Sequence, residues 1–152
     1  MSPPLAVEVL RRGRGWAPTG ADIRAWAAAA LGRRAAGAEL AVRIVGAAES
    51  RRLNAHFRGR DNPTNVLSFP PGEAAAGVLP RPLGDLVLCA PLVRAEARGQ
   101  RKSVRAHWAH LIVHGALHLI GYDHEAPREA RRMERREITV LRRLGFANPY
   151  RS

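Results

Sequence analysis

At 152 residues the chain is long enough for one domain with a buried core and too short for two of ordinary size. Cys89 is the single cysteine, which excludes intrachain disulfides and a cysteine-built metal site. The formal charge of +12 favours a polyanionic partner, most commonly nucleic acid; yet Lys102 is the only lysine among 25 basic residues, and an Arg-, Ala- and Gly-rich chain also follows from a biased genome. No apolar run is long enough to span a bilayer, so no membrane association is expected. Met1 to Leu10 lacks a basic start and an apolar core, and a cytoplasmic protein is expected.

Leu5 to Leu10 alternates in the manner of a strand. Thr19-Gly20-Ala21-Asp22 resembles a capping box and predicts a helix from Gly20 to about Leu31. Leu40 to Val45 reads as a second strand and Ala47 to about Phe57 as a short helix. The turn-rich Gly59-Arg60-Asp61-Asn62-Pro63 leads into a third strand, Val66 to Phe69. Pro71 to Pro82 reads as a loop and Gly84 to Cys89 as a fourth strand, with Pro91 in the first turn of the next helix. Val104, Trp108, Leu111 and Ile112 keep helical spacing and face a core. Gly121 ends that helix, and Pro127 opens a last one running to about Leu144, with Met133, Val140, Leu141 and Leu144 inward. With no repeats and no long linker, the expectation is one α+β domain over residues 1–152, with a small mixed four-stranded sheet and about five helices.

The segment His114-Gly-Ala-Leu-His118-Leu-Ile-Gly121-Tyr-Asp-His124 has the spacing H-x-x-x-H-x-x-G-x-x-H. Two histidines four apart on a helix face one way and can share an ion; the glycine lets the chain turn so that a third returns to it. Three neutral imidazoles leave a fourth position open, the pattern of a catalytic rather than a structural zinc site. The spacing is similar to that of metzincin proteases, except that Gly115 stands where those enzymes carry their glutamate base. His110 and His114 are also four apart, but His110 and His118 lie about 12 Å apart along the axis and cannot both join His114 on one ion. His107 and His110 are read as helix surface, with a supporting or nucleic-acid-facing role as the alternative. His56 is read as structural or exposed. Asp123 either orients an imidazole or caps the turn.

The same segment resembles the H-G-x-L-H-L-x-G-Y-D-H pattern of the YbeY family of bacterial endoribonucleases. The resemblance extends to NAHFRGRDNPTNVLSFP at Asn54–Pro70, GDLVLC at Gly84–Cys89 and LGFANPY at Leu144–Tyr150. It implies an α+β domain with one Zn2+ per chain held by His114, His118 and His124, on a helix and the turn after it. It further implies a single-strand-specific endoribonuclease maturing the 3′ end of small-subunit ribosomal RNA and serving ribosome quality control. Ribosomal RNA, small-subunit proteins and a ribosome-associated GTPase are the partners to expect.

The family's important arginine corresponds to Arg58, a phosphate clamp through its bidentate guanidinium; His114 and Arg58 are the catalytic candidates. Arg94, Arg98, Arg101, Lys102 and Arg105 recur at roughly helical spacing and can track an RNA backbone. Arg128, Arg131, Arg132, Arg135 and Arg136, balanced in part by Glu129, Glu134 and Glu137, read as a solvated face. Asn65 and Ser68 stand between substrate contact and a turn role. Cys89 is read as a small buried residue. No general base is evident among Asp61, Asp85 and Asp123, and attack by hydroxide or by the ribose 2′-OH both stay open. The competing readings are a hydrolase of another substrate, such as a metzincin-like protease, and a non-catalytic RNA- or ribosome-binding factor with a structural zinc.

Overall fold

The computed structural model describes residues 3–72 and 79–151. In chain order the elements are β1 (Ala6–Arg11), α1 (Gly20–Leu31), a short 3-10 turn (Gly32–Ala35), β2 (Ala38–Val45), α2 (Ala47–Arg58), β3 (Val66–Phe69), β4 (Arg81–Cys89), α3 (Ala90–Gly99), α4 (Val104–Leu119) and α5 (Pro127–Arg143). The expected five helices and four strands are present. The sheet order is β1-β2-β4-β3, with β1, β2 and β4 parallel and β3 antiparallel to β4. The fold is therefore α+β with a mixed sheet.

Local chemistry sets the helix starts. Thr19 Oγ1 accepts the Asp22 N–H at 3.1 Å, and Ser103 Oγ accepts that of Ala106 at 3.0 Å, each satisfying a donor the first turn leaves free. The expected loop from Pro71 to Pro82 is shorter than that: Arg81 and Pro82 already belong to β4, and residues 73–78 lie outside the described residues. Pro82 pairs with Glu39, just before a register shift between Glu39 and Leu40, and lies beyond Asp85, the last β4 residue that β3 reaches. A strand position with one free edge tolerates a missing N–H.

The period of two sorts β4 between two cores. Leu86 and Leu88 point into the main core, and Val87 joins Val45 and Leu67 in a smaller cluster bordered by Leu53 of α2. Helix α4 forms the centre of the main core. Trp108, Ile112, Val113, Ala116 and Leu117 are all fully buried, and the helix packs against α1, α3, α5, β3 and β4. Each fully buried large aliphatic side chain contributes roughly 1.5–3 kcal/mol, so α4 is among the best-anchored elements of the molecule. Among the described residues no helix is long and apolar enough to cross a membrane.

Candidate metal centre and nucleic-acid cleft

His114 and His118 project from the C-terminal half of α4. The helix stops at Leu119; Gly121, at φ 105°, takes a backbone conformation open mainly to glycine, and the Tyr122 N–H returns to the Leu117 carbonyl at 3.1 Å. This reversal carries His124 back to the helix. Its ring centroid lies 5.4 Å from that of His114 and 5.9 Å from that of His118. All three imidazoles border one cleft of about 550 Å³, together with Asp123, Arg58 and Arg60.

Among the described residues the ligating atoms of His118, Asp123 and His124 lie within 4.8 Å of one another, a set compatible with a metal ion; it holds two of the three expected histidines, with Asp123 in place of His114. One Asp123 oxygen, Oδ1, is engaged by the turn, accepting the N–H of His124 at 2.7 Å and of Glu125 at 3.3 Å. Asp123 thus caps the turn, one of its two expected roles. His118 Nδ1 lies 3.1 Å from the Tyr122 carbonyl and donates to it, and His114 Nδ1 lies 3.0 Å from Glu137 Oε2. A ring nitrogen that donates to an oxygen leaves its partner nitrogen as a neutral lone-pair donor, the form a metal takes. The chemistry of the His118, Asp123 and His124 set therefore fits a metal ion, and His114, whose Nδ1 is likewise engaged, borders the same cleft.

Glu137 does not sit on a solvated face. It is 1% exposed, and its carboxylate accepts from His114 through Oε2 and from His110 Nε2 (2.7 Å) and the Tyr150 hydroxyl (2.6 Å) through Oε1. Burial alone would raise its pKa, but the hydrogen bonds from His110 and His114 and the attraction of His114, with the Tyr150 bond, outweigh it and bring it down to about 2. The signal was available: Glu137 stands four after Met133 and three and four before Val140 and Leu141, on the buried stripe of α5. Charge count masked position. His110 and His107 are likewise not surface residues. His107 is 4% exposed and its Nε2 meets Glu96 at 2.9 Å, while burial lowers its pKa against the opposing pull of Glu96.

The second wall of the cleft is built on α2. Arg58 is its last residue, and Gly59, in the left-handed conformation at φ 69°, turns the chain immediately afterwards. The turn is pinned back onto the helix. Asn54 Nδ2 donates to the Asn62 carbonyl at 2.8 Å, Ser50 Oγ donates to the Thr64 carbonyl and accepts its N–H at 3.0 Å, and Arg51 grips Asp61 at 2.7 and 2.9 Å. Asn65 donates to Glu96, the residue that also holds His107, and its carbonyl accepts the Cys89 N–H. Asn65 and the buried Ser68 border the cleft, and Cys89 is buried as expected.

Gly115 faces away from the cleft into the core, where a Cβ would lie 2.7 Å from Leu86 Cδ2. Close helix–sheet approach, not the cleft, dictates this residue, and a glutamate base has no room there.

The basic stripe is dispersed. None of Arg94, Arg98, Arg101, Lys102 and Arg105 is among the described residues that line the cleft. Arg105 pairs with Asp22 and lies over the Trp26 ring at 5.1 Å, and Lys102 Nζ donates to the Pro149 carbonyl at 2.7 Å. The cations that do line the cleft are Arg58 and Arg60; His56 is exposed, its ring against Phe57.

A histidine-rich centre in an open polar cleft with arginines on its wall, carried by a small α+β fold, defines a protein of hydrolase class. The family model for "Endoribonuclease YbeY" matches residues 20–145, and the chain belongs to that family of RNA-cleaving enzymes. The "Endoribonuclease YbeY" of Alkalilimnicola ehrlichii is 55% identical over 97% of this chain and 90% of its own length. That of Halorhodospira halophila is 51% identical over 88% of each. The solution structure of TM1509 from Thermotoga maritima shares the fold, with a TM-score of 0.58 at 22% identity over 96% of this chain and 99% of that one.

Proposed function

We propose that this chain is a zinc-dependent endoribonuclease specific for single-stranded RNA, acting in maturation of ribosomal RNA at the 3′ end of the small-subunit molecule and in ribosome quality control. The metal ligands are His114, His118 and His124. The observation that carries this reading is the pair of Nδ1 bonds, to Glu137 and to the Tyr122 carbonyl, which leave the opposite nitrogens of two cleft histidines as metal donors. When bound, a zinc ion supplies Lewis acidity at a phosphoryl oxygen and a lowered pKa for water.

The chain's own residues do the rest. Arg58 clamps the phosphate at the point of cleavage, since a guanidinium matches two phosphate oxygens and neutralises charge that grows there. Arg60 holds the RNA backbone beside it. The hydrogen-bonded turn Gly59–Asn65 fixes the spacing between these arginines and the histidines, and fixed geometry is what a phosphoryl-transfer site needs most. Zinc fits best because imidazole donors with an open position suit it. Work on ribosomal RNA places the protein in the cytoplasm, with small-subunit proteins and a ribosome-associated GTPase as partners. Arg94, Arg98, Arg101, Lys102 and Arg105, spread over α3, the α3–α4 turn and α4, are secondary RNA contacts outside the cleft.

Cleavage of a single-stranded RNA taken from the 3′ end of the small-subunit precursor tests this reading. Wild type should cut, and His114→Ala and Arg58→Glu should each lose at least about 100-fold in rate. Equal cutting by all three proteins would refute it.

A further inference from the structure

Resting on the reading of His114 as a metal ligand, we infer that Glu137, together with Tyr150 and His110, is a positioning unit that sets the tautomer and aim of His114. Glu137 touches neither cleft nor substrate and acts through another residue.

The geometry leaves each oxygen of Glu137 a separate task. Among the described residues Oε2 receives only the His114 Nδ1–H, at 3.0 Å. Oε1 receives both the His110 Nε2–H at 2.7 Å and the Tyr150 hydroxyl at 2.6 Å. His110 and Tyr150 also meet each other at 3.2 Å, with their rings edge to face at 5.3 Å. The carboxylate is thus fixed from behind by two donors and presents its other oxygen to the imidazole. A carboxylate in this place keeps the proton on Nδ1, leaves the lone pair on Nε2 and makes the ring a better donor.

Tyr150 brings the C-terminal segment into the unit. That segment is tied down independently, by Lys102 Nζ on the Pro149 carbonyl at 2.7 Å and by the Phe146 ring edge-on to Trp26 at 5.8 Å. Seating of the segment therefore supplies one of the two donors that hold Glu137, and loosening it should weaken metal binding from a distance.

The test is zinc affinity by competition with a chromophoric chelator, beside thermal melting of the metal-free protein and kcat and KM on single-stranded RNA. The proteins are wild type, Glu137→Gln, Tyr150→Phe and His114→Ala. Glu137→Gln cannot offer oxygens at both ends; it should bind zinc about 10–100-fold more weakly, with kcat reduced and KM for RNA little changed. Tyr150→Phe, a partly exposed residue losing one hydroxyl, should melt close to wild type yet lose about threefold in affinity. If Glu137→Gln melts lower but binds zinc as wild type does, Glu137 is only a buried structural group and the inference fails. If Glu137→Gln does not fold, Tyr150→Phe decides, and unchanged affinity there overturns the inference. Failure of the underlying reading looks different: wild type and His114→Ala would then bind zinc alike, and both proposals fall together.

Discussion

Gly115 is the residue at which this site parts from a protease. Its missing side chain lets α4 close onto Leu86, so the position is spoken for by packing. Gly115→Glu should therefore create no peptidase; a buried, unpaired carboxylate overpacked against Leu86 should cost 3 kcal/mol or more, read as a fall in the urea midpoint. A stable, casein-cleaving variant would contradict this. Arg58 makes the opposite demand, for one shape of cation. Arg58→Lys keeps the charge but loses the fork, and cleavage should drop about tenfold with little change in stability, since Arg58 is exposed and lies at a helix end. Unchanged cleavage would show that charge alone suffices.

At the scale of elements, the α2–β3 connection is the part whose rigidity the chemistry uses. Asn54→Ala removes the buried amide that holds the Asn62 carbonyl and should cost about 1–3 kcal/mol. Because the same turn carries Arg60 and borders Arg58, kcat should fall as well, measured at a temperature where the variant is fully folded. Gly84 is the other constrained position: at φ 129°, a Cβ would run into the Phe69 carbonyl oxygen, so Gly84→Ala should destabilise by about 3 kcal/mol in a thermal melt. A near-neutral result would mean β3 and β4 separate easily. Much of this was legible in the residues. The cap at Thr19, the alternation in β1 and the turn at Gly121 each carry a local signal. The start of β4 did not, because Pro82 argues against a strand until its neighbours are known. The stripe position of Glu137 was readable, but its bonds to His110 and His114, and that of His107 to Glu96, were illegible for a related reason. A charged residue reads as surface unless the partner that satisfies it is seen, and those partners lie 11 to 27 positions away. That His114, His118 and His124 would meet at one cleft was legible because their spacing is local.

For the whole molecule, a charge of +12 and a cleft walled by arginines imply RNA binding that weakens steeply with salt. Stability should also depend on pH through buried groups. Burial lowers the His107 pKa below its ordinary 6.5, so the unfolded chain binds this proton more readily than the folded one. The stability contributed by a neutral His107 is complete above pH 6.5 and is lost as the pH falls below it. Urea unfolding of metal-free protein should give a lower midpoint at pH 5.5 than at pH 7.5, and His107→Gln should flatten that difference. An unchanged slope in the variant would assign the dependence elsewhere.

The central claim, one ion on three histidines serving an RNA-cleaving cleft, is tested most directly by stripping the protein of metal and returning zinc stepwise while following cleavage of single-stranded RNA. The account predicts that stripped protein is inactive and that activity rises linearly to a plateau at one zinc per chain. Stripped protein that cuts as fast as the original, or full occupancy that restores nothing, would contradict it.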